Sequence, residues 1–235
     1  MVVIENLHKT FNKNKVLTGV DLTIDNSGIF AILGPNGSGK TTLIKSILGM
    51  VIPTEGTIQI MGEHIKNNWL YRKKIDYLPQ IANFPNNLKV RELLKMIKDL
   101  RGDTDADQEL IELFKLEPFL NKKLGNLSGG TKQKVNIVLT FMFNSPIIIL
   151  DEPTSGLDPI SLIRLKELIR KEKANGKTIL ITSHIMSFVE EISDEIVFLL
   201  EGKIYFRGSI TALKTKTEQP NFEHAIASIL KTSYA

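Results

Sequence analysis

The octet GPNGSGKT, at residues 34–41, combines three glycines with a lysine and a threonine in a spacing that suits phosphate chemistry. It fits the pattern G-x-x-x-x-G-K-[ST], in which the glycines let successive backbone N–H groups curl around an anion. Lys40 is placed to reach the β- and γ-phosphates of a nucleotide, and Thr41 to bind Mg²⁺. The residues expected to contact the nucleotide are Gly34, Pro35, Asn36, Gly37, Ser38, Gly39, Lys40, Thr41 and Thr42.

Two adjacent acids after the apolar run IIIL are suited to the metal-binding and catalytic half of such a site. Asp151 ends a strand that we expect to be buried, at the edge where ligands gather in open α/β sheets, so its carboxylate is a candidate Mg²⁺ ligand. Glu152 is the candidate general base for an attacking water. An exposed loop entry is the alternative, but the preceding apolar run and the following Pro153 favour the catalytic interpretation.

A second glycine-containing segment, LSGGTKQK, begins at Leu127 and indicates another anion site at the start of a helix. Ser128 is the expected N-cap, and Gly129 and Gly130 let backbone N–H groups approach a phosphate closely. Thr131 is too short to reach back to the backbone N–H of Ser128, as a glutamine at this position would. We therefore expect a helix start weakened by several tenths to about 1 kcal/mol, with the phosphate-facing atoms unaffected.

Residues 34–41 and the acids together are also compatible with a GTPase. A guanine-recognition motif of the form Asn-Lys-x-Asp would support that alternative. The segments NKNK at Asn12 and NKKL at Asn121 both lack the aspartate, which weakens guanine specificity without excluding it.

These motifs need a particular order of strands and helices to position them. The apolar run at residues 29–33 predicts a buried strand directly before the glycine-rich segment, and residues 40–50 predict a helix directly after it. Apolar residues at helical spacing over residues 88–144 indicate a helical insertion. Strands and helices then alternate over residues 145–208, which predicts an α/β fold with a parallel sheet covered on both faces.

Composition excludes several other classes of protein. The chain has 235 residues, a formal charge of +4 and no cysteine, which rules out disulfides, thiolate metal sites and cysteine nucleophiles. Its basic residues are interleaved with acids, as expected of solvated helix faces, so we expect no nucleic-acid partner. No apolar stretch approaches the roughly 20 residues that a membrane-spanning helix needs, and the first residues do not resemble a secretion signal.

The order of the motifs is more specific than any one of them. The segment LSGG is followed by an apolar helix, a buried strand and DEPTSGLD, and in this order the chain resembles the ATP-binding subunits of ABC transporters from about residue 2 to 210. Phe11 corresponds to the aromatic that stacks on adenine, although the family more often has tyrosine there. A phenylalanine of the hydrophobic core is the alternative for this residue.

The resemblance implies further site residues. Gln80, in YLPQ, corresponds to the glutamine that meets the metal and the water and reports to the membrane partner. Asp158, in SGLD, belongs to the loop that crosses between two subunits, and His184, in ITSH, corresponds to the histidine that contacts the γ-phosphate. The implied catalytic residues are Glu152, His184 and Gln80, and the implied metal ligands are Thr41, Gln80 and Asp151.

The resemblance also explains why one chain carries two phosphate-binding segments. In the family, ATP and Mg²⁺ are held by the glycine-rich loop of one subunit, and the Ser-Gly-Gly segment of a second copy closes over the γ-phosphate. Ser128, Gly129, Gly130 and Asp158 would then contact nucleotide across a head-to-tail homodimer. The resemblance further implies membrane permease subunits as partners and a location at the cytoplasmic face of the cell membrane.

The family fold is a P-loop NTPase core with a parallel central sheet, an N-terminal antiparallel β subdomain and an inserted helical subdomain. It divides this chain into a β subdomain with the first part of the core (1–87), the helical subdomain (88–144), the second part of the core (145–208) and a helical tail (209–235). Phe84, Pro85 and Leu88 are candidates for the apolar surface that receives the permease, with packing inside the helical subdomain as the alternative. We expect a structural role for Trp69.

A finer resemblance concerns the segments LSGGTKQKV and FMFNSPIIILDEPTSGLDP. They are similar to the ATPase of the bacterial system that matures the copper sites of nitrous-oxide reductase, which works beneath a permease dimer and a periplasmic partner. A soluble ABC ATPase that acts as an assembly or mechanical factor is the main alternative. A non-hydrolysing binding module is a third, against which Glu152, Asp158 and His184 all argue.

Overall fold

A computed structural model describes residues 1–102 and 106–233, apart from the side chains of residues 106, 232 and 233. The described chain forms two compact units. Unit 1 contains Met1–Arg72 and the chain from Thr178 onward, and unit 2 contains Lys73–Lys177. Residues 103–105 of the expected helical subdomain and the last two residues of the expected tail lie outside the described residues.

The strands and helices follow the order expected from the sequence. The strands are β1 (Val2–Phe11), β2 (Asn14–Ile24), β3 (Gly28–Leu33), β4 (Glu55–Ile60), β5 (Glu63–His64), β6 (Ile75–Leu78), β7 (Ile147–Asp151), β8 (Thr178–Thr182), β9 (Glu195–Leu200) and β10 (Lys203–Gly208). The helices are α1 (Lys40–Ile47), α2 (Val90–Arg101), α3 (Ala106–Leu113), α4 (Gly129–Phe141), α5 (Pro159–Ala174), α6 (Met186–Ile192), α7 (Ile210–Thr217) and α8 (Phe222–Ser233).

Unit 1 contains two sets of paired strands. In the first, β1 pairs antiparallel with both β2 and β4, and β4 pairs antiparallel with the short β5. In the second, β3 lies between β8 and β9 and runs parallel to both, whereas β10 pairs antiparallel with β9. Every residue of β3 is buried, as its continuous apolar sequence predicts for a strand covered on both faces.

The last two helices cover the second set of strands in unit 1. Phe222, at the start of α8, is 1% exposed and belongs to the same buried cluster as Phe198 of β9 and Leu213 of α7. Burial of such a side chain stabilises the fold by roughly 1.5–3 kcal/mol. The predicted helical tail is therefore part of the hydrophobic core of unit 1.

The described part of unit 2 contains a parallel strand pair and the α-helices α2 to α5. Strands β6 and β7 pair in parallel, with Tyr77 opposite Ile149. Helix α4 contacts β6 as well as α2 and α3, and its apolar residues Val135, Ile137 and Val138 are fully buried. The predicted helical insertion is thus organised around the helix that begins at the second glycine-containing segment.

The prediction of an α/β fold with parallel strands, an antiparallel β part and added helices is confirmed. Trp69, for which we expect a structural role, is 64% exposed and does not belong to the buried core. Among the described residues, the helices are all too short or too polar to span a membrane.

An ion pair between a buried aspartate and a partly exposed arginine fixes the end of α2 in unit 2. Asp76 of β6 is fully buried, and its carboxylate accepts a hydrogen bond from Arg101 at 2.5 Å and one from the Ser145 N–H at 3.2 Å. Arg101 also donates to the Ser145 hydroxyl at 3.1 Å. Both carboxylate oxygens therefore have donors, as a buried charge requires.

Arg101→Met is expected to destabilise the protein by about 1–3 kcal/mol, because it leaves one oxygen of the buried Asp76 carboxylate without its donor. The free energy of unfolding in urea measures this loss. Arg91→Met is the matched control, since Arg91 lies exposed on the same helix and its loss should change stability by no more than about 0.5 kcal/mol. Equal stabilities for the two variants would contradict this account of the Asp76 site.

Candidate functional site

The glycine-rich segment forms a tight loop between β3 and α1, the context that the motif requires. A Cβ atom on Gly34 would lie 2.1 Å from the carbonyl oxygen of Leu199 and 2.6 Å from the Ser38 hydroxyl, so only glycine fits there. Gly39 precedes α1 with a φ of 104°, in the left-handed region that favours glycine. The two glycines thus allow the loop to turn directly from the buried strand into the helix.

The side chains of this loop present hydrogen-bond donors. The Lys40 ammonium donates to the carbonyl oxygens of Gly34 at 2.7 Å and Pro35 at 3.0 Å, so it lies within the curl of the loop. The Ser38 hydroxyl is buried and has no hydrogen-bond partner among the described residues. A buried, unsatisfied hydroxyl beside an ammonium and a helix N-terminus suits a phosphate group.

The remaining loop residues differ in exposure. Asn36 and Gly37 lie at the exposed tip, and Thr41 is exposed at the start of α1. Thr42 is half-buried, and its carbonyl oxygen accepts a hydrogen bond from Ser46 at 2.8 Å. A threonine hydroxyl, a carboxylate and a glutamine amide oxygen are all hard oxygen ligands, so the predicted set of Thr41, Asp151 and Gln80 fits Mg²⁺ chemically.

Two further predicted site residues of unit 1 lie on its surface. Phe11 ends β1 and is 45% exposed, so it is not a core residue, and the Lys9 ammonium lies 4.7 Å from the centre of its ring. His184 follows β8 and is exposed. The next residue, Ile185, donates its backbone N–H to the Ser183 hydroxyl at 3.1 Å, which fixes the turn that carries the imidazole.

The two acids of unit 2 lie at the end of β7. Asp151 is 6% exposed, and Glu152 follows it with a φ of 49°, a left-handed conformation that is uncommon for a residue with a side chain. Burial raises the pKa of Tyr77 to about 12, and the negative charge of Asp151 contributes to this shift. Tyr77 is therefore uncharged throughout the physiological pH range.

Helix α4 holds the segments that carry Glu152 and Gln80. Its buried Gln133 donates to the carbonyl oxygen of Pro153 at 3.0 Å, and its buried Asn136 donates to the carbonyl oxygen of Pro79 at 3.2 Å. Neither amide was predicted to belong to the site. The available signal was two amides, three residues apart, the second of them beside the apolar residues Val135, Ile137 and Val138.

The start of α4 has the predicted cap. The Ser128 hydroxyl accepts a hydrogen bond from the Thr131 N–H at 3.3 Å, and both Ser128 and Gly129 are exposed. A Cβ atom on Gly130 would lie 2.6 Å from the carbonyl oxygen of Gly156, so this glycine packs against the SGLD segment. For Thr131 the sequence analysis predicted only a loss, whereas its hydroxyl in fact lies 2.8 Å from that of Ser128.

A second contact joins α4 to the SGLD segment. Asp158 caps α5 by accepting hydrogen bonds from the N–H and the hydroxyl of Ser161, and its carboxylate pairs with Lys134 of α4 at 2.7 Å. The hydrogen bond from Lys134, followed by those from Ser161, holds the pKa of Asp158 well below its ordinary value. Lys134 was not predicted as a site residue. It joins two segments that both belong to the expected contact with a second copy.

Most of the predicted site residues of unit 2 therefore lie on segments that are held by one helix, α4. The segments carrying Gln80, Glu152, Ser128 and Asp158 all bond to α4 or begin it. In unit 1, the loop at residues 34–41 curls around the Lys40 ammonium, and the side chains of Phe11, at the end of β1, and His184, after β8, are exposed.

Comparisons with known proteins agree with this arrangement. The family model described as ABC transporter matches residues 17–155. An uncharacterized ABC transporter ATP-binding protein of Bacillus subtilis, YhaQ, is 36% identical over 94% of this chain and 75% of its own length. The lantibiotic transport ATP-binding protein SrtF of Streptococcus pyogenes is 35% identical over 87% of this chain and 89% of its own length.

Solved structures show the same fold. The ATP binding subunit of an ABC transporter superposes with a TM-score of 0.92 at 29% identity, covering 98% of this chain and 99% of that subunit. The ATP-binding cassette MJ0796, solved as a dimer in a post-hydrolysis state with ADP and phosphate, has a TM-score of 0.80 at 27% identity. This match covers 89% of this chain and 98% of the cassette.

Proposed function

Since this chain belongs to the ABC transporter family and is one of its ATP-hydrolysing subunits, we propose that two copies close head-to-tail around two ATP molecules and drive a membrane permease. The observation that carries the proposal is the exposed start of α4. Ser128 and Gly129 offer anion-binding groups there, and a Cβ atom on Gly129 would meet nothing within 4 Å. An anion site this open is suited to completion by a second molecule.

Each nucleotide would be held mainly by unit 1 of one copy. The loop N–H groups, the Lys40 ammonium and the Ser38 hydroxyl would bind the phosphates, and the exposed ring of Phe11 would stack on the base. Mg²⁺, held by Thr41, Asp151 and Gln80, would neutralise charge that develops on the phosphates during hydrolysis.

Hydrolysis itself would depend on two further side chains. Glu152 would take a proton from the attacking water, and His184 would contact the γ-phosphate. Ser128, Gly129, Gly130 and Asp158 of the second copy would complete the site. Because ATP would bind the closed pair better than the open one, its hydrolysis would release the pair and return the switch to its open state.

We propose the helical part of the chain, residues 88–144, and the segment before it as the contact with the permease. The segment 82–86 and Lys132 line a groove of about 330 Å³ within unit 2. Phe84 and Leu88 are half-buried and Pro85 is exposed, so none of the three is a core residue. Binding there would place the protein at the cytoplasmic face of the membrane. The same proposal includes the division of the chain into four functional parts, with boundaries after residues 87, 144 and 208.

The identity of the transported substrate is a separate matter. The relative SrtF is named for lantibiotic transport. A role in copper-site maturation of nitrous-oxide reductase, with a periplasmic partner, rests on the similarity of the segments around Thr131 and Asp151 alone. The soluble assembly factor is the alternative to a transporter subunit, and association with a permease separates the two.

Tagged protein purified from detergent-solubilised membranes of its native host is expected to bring down a multi-spanning membrane protein in near-equal amount. Phe84→Ser should reduce the recovery of that protein several-fold, because the groove loses its apolar ring. Tyr205→Ser is the matched control, since Tyr205 is an aromatic residue that is 43% exposed and lies outside the groove. Recovery of the wild type without any membrane protein would favour the soluble assembly factor.

A further inference from the structure

The hydroxyl groups of Ser128 and Thr131 form a pair at the start of α4. Their oxygen atoms lie 2.8 Å apart, a normal distance for an O–H···O hydrogen bond. The Ser128 oxygen also accepts the backbone N–H of Thr131 at 3.3 Å. Ser128 is exposed, whereas Thr131 is half-buried beneath it.

The number of protons and lone pairs decides how this pair would act beside a phosphate. A hydroxyl has one proton to donate and two lone pairs that accept. The Thr131 N–H occupies one lone pair of Ser128. A phosphate can only accept, so Ser128 must turn its proton toward the phosphate, and the hydrogen bond to Thr131 then requires Thr131 to be the donor.

The other threonine of α4 behaves differently. The Thr140 hydroxyl donates to the carbonyl oxygen of Asn136, four residues earlier, at 2.9 Å. This is the usual bond for a threonine inside a helix. Thr131 lies within the first turn and instead has the Ser128 hydroxyl within reach, so its side chain interacts with the cap.

We propose that Thr131 is a positioning residue for ATP hydrolysis in this protein. Its hydroxyl donates to the Ser128 oxygen and directs the Ser128 proton outward, to the γ-phosphate of ATP held by a second copy. Donation into the Ser128 oxygen also polarises its O–H bond and makes it a better donor. The inference rests on the proposed head-to-tail dimer and assigns a role to a residue for which the sequence predicted only a loss.

The backbone around this pair is held independently of Thr131. The close approach of Gly130 to the Gly156 carbonyl and the Lys134–Asp158 ion pair both fix the start of α4. Thr131→Val keeps the backbone N–H bond to Ser128 and the β-branched shape, and it removes only the hydroxyl. Its effect should therefore be confined to the direction of the Ser128 proton.

The test compares Thr131→Val with Thr131→Ser, which keeps the hydroxyl, in full-length protein. We expect Thr131→Val to leave the ATP affinity of the isolated chain unchanged, since the loop at residues 34–41 is intact. The protein concentration that gives half-maximal ATPase activity per chain should rise about 5-fold or more. The reason is that the hydrogen bond from Ser128 to the γ-phosphate is weakened at both sites of the dimer. Thr131→Ser should restore it to within about 2-fold of wild type.

Ser128→Ala in the same assay distinguishes the positioning role of Thr131 from the proposed contact with a second copy. If Ser128→Ala raises the half-maximal concentration and Thr131→Val does not, the positioning role is wrong while the dimer stands. The positioning role is also wrong if Thr131→Ser is as impaired as Thr131→Val. If Ser128→Ala itself has no effect, the proposed contact with a second copy is wrong, and the role of Thr131 is overturned with it.

Discussion

Lys40→Ala is expected to weaken ATP binding by about 100-fold, which corresponds to roughly 3 kcal/mol. Lys40 is 9% exposed, and its ammonium lies among the carbonyl groups of its own loop. A cation in this position would bind a phosphate held by the proposed loop, and charge-assisted hydrogen bonds to phosphate are about twice as strong as neutral ones. Removal of the ammonium leaves the loop N–H groups as the principal donors.

Titration calorimetry with ATP and Mg²⁺ measures the predicted loss. Lys40→Met is the companion variant, because it keeps the hydrocarbon chain in the loop and separates loss of charge from loss of packing. Lys45→Ala is the control, since Lys45 is exposed in the last turn of the same helix. An ATP affinity for Lys40→Ala equal to that of wild type, with the same melting temperature, would overturn the assignment of residues 34–41 as the nucleotide site.

The sequence was sufficient to predict the elements that position the site. Residues 29–33 are continuously apolar and become the buried strand β3, and the glycines that follow permit only a loop. Pro159 favours the first turn of a helix, and α5 begins there with Asp158 as its cap. These features are local, because each depends on residues within a few positions of one another.

The contacts that organise unit 2 could not be predicted in the same way. Asp76 pairs with Arg101, and Lys134 pairs with Asp158, across 25 and 24 positions of the sequence. Either Lys132 or Lys134 of α4 could have been the partner of Asp158. Only the direction in which the helix presents its residues decides between them. Exposure has the same origin, because tertiary packing and not side-chain type leaves Trp69 64% exposed.

The left-handed backbone of Glu152 could not be predicted from the sequence either. It bears on the role of Glu152 in ATP hydrolysis. Glu152 has a φ of 49°, and its carbonyl oxygen accepts the N–H of Ser155 at 3.2 Å in the turn that follows. A non-glycine residue in this conformation costs about 1–3 kcal/mol and persists where the surroundings enforce it. Such strain at the end of a strand often accompanies a functional side chain.

Glu152→Gln is expected to slow ATP hydrolysis by roughly 10²- to 10⁴-fold while leaving folding and ATP binding unchanged. Glutamine has the same shape and imposes the same backbone cost, so the variant loses only the ability to take a proton. Because hydrolysis would then be too slow to open the pair, the variant should accumulate as an ATP-bound dimer. Size-exclusion chromatography with ATP detects the dimer, and phosphate release measures the rate.

Glu218→Gln is a closely matched control for this variant. Glu218 is also a glutamate with a left-handed backbone, at a φ of 54°, and it lies exposed at the end of α7. The same substitution in the same conformation should leave both the rate and the dimer unchanged there. If Glu152→Gln releases phosphate as fast as Glu218→Gln, then Glu152 is not the base, and the proton of the attacking water must pass to another group or to the phosphate itself.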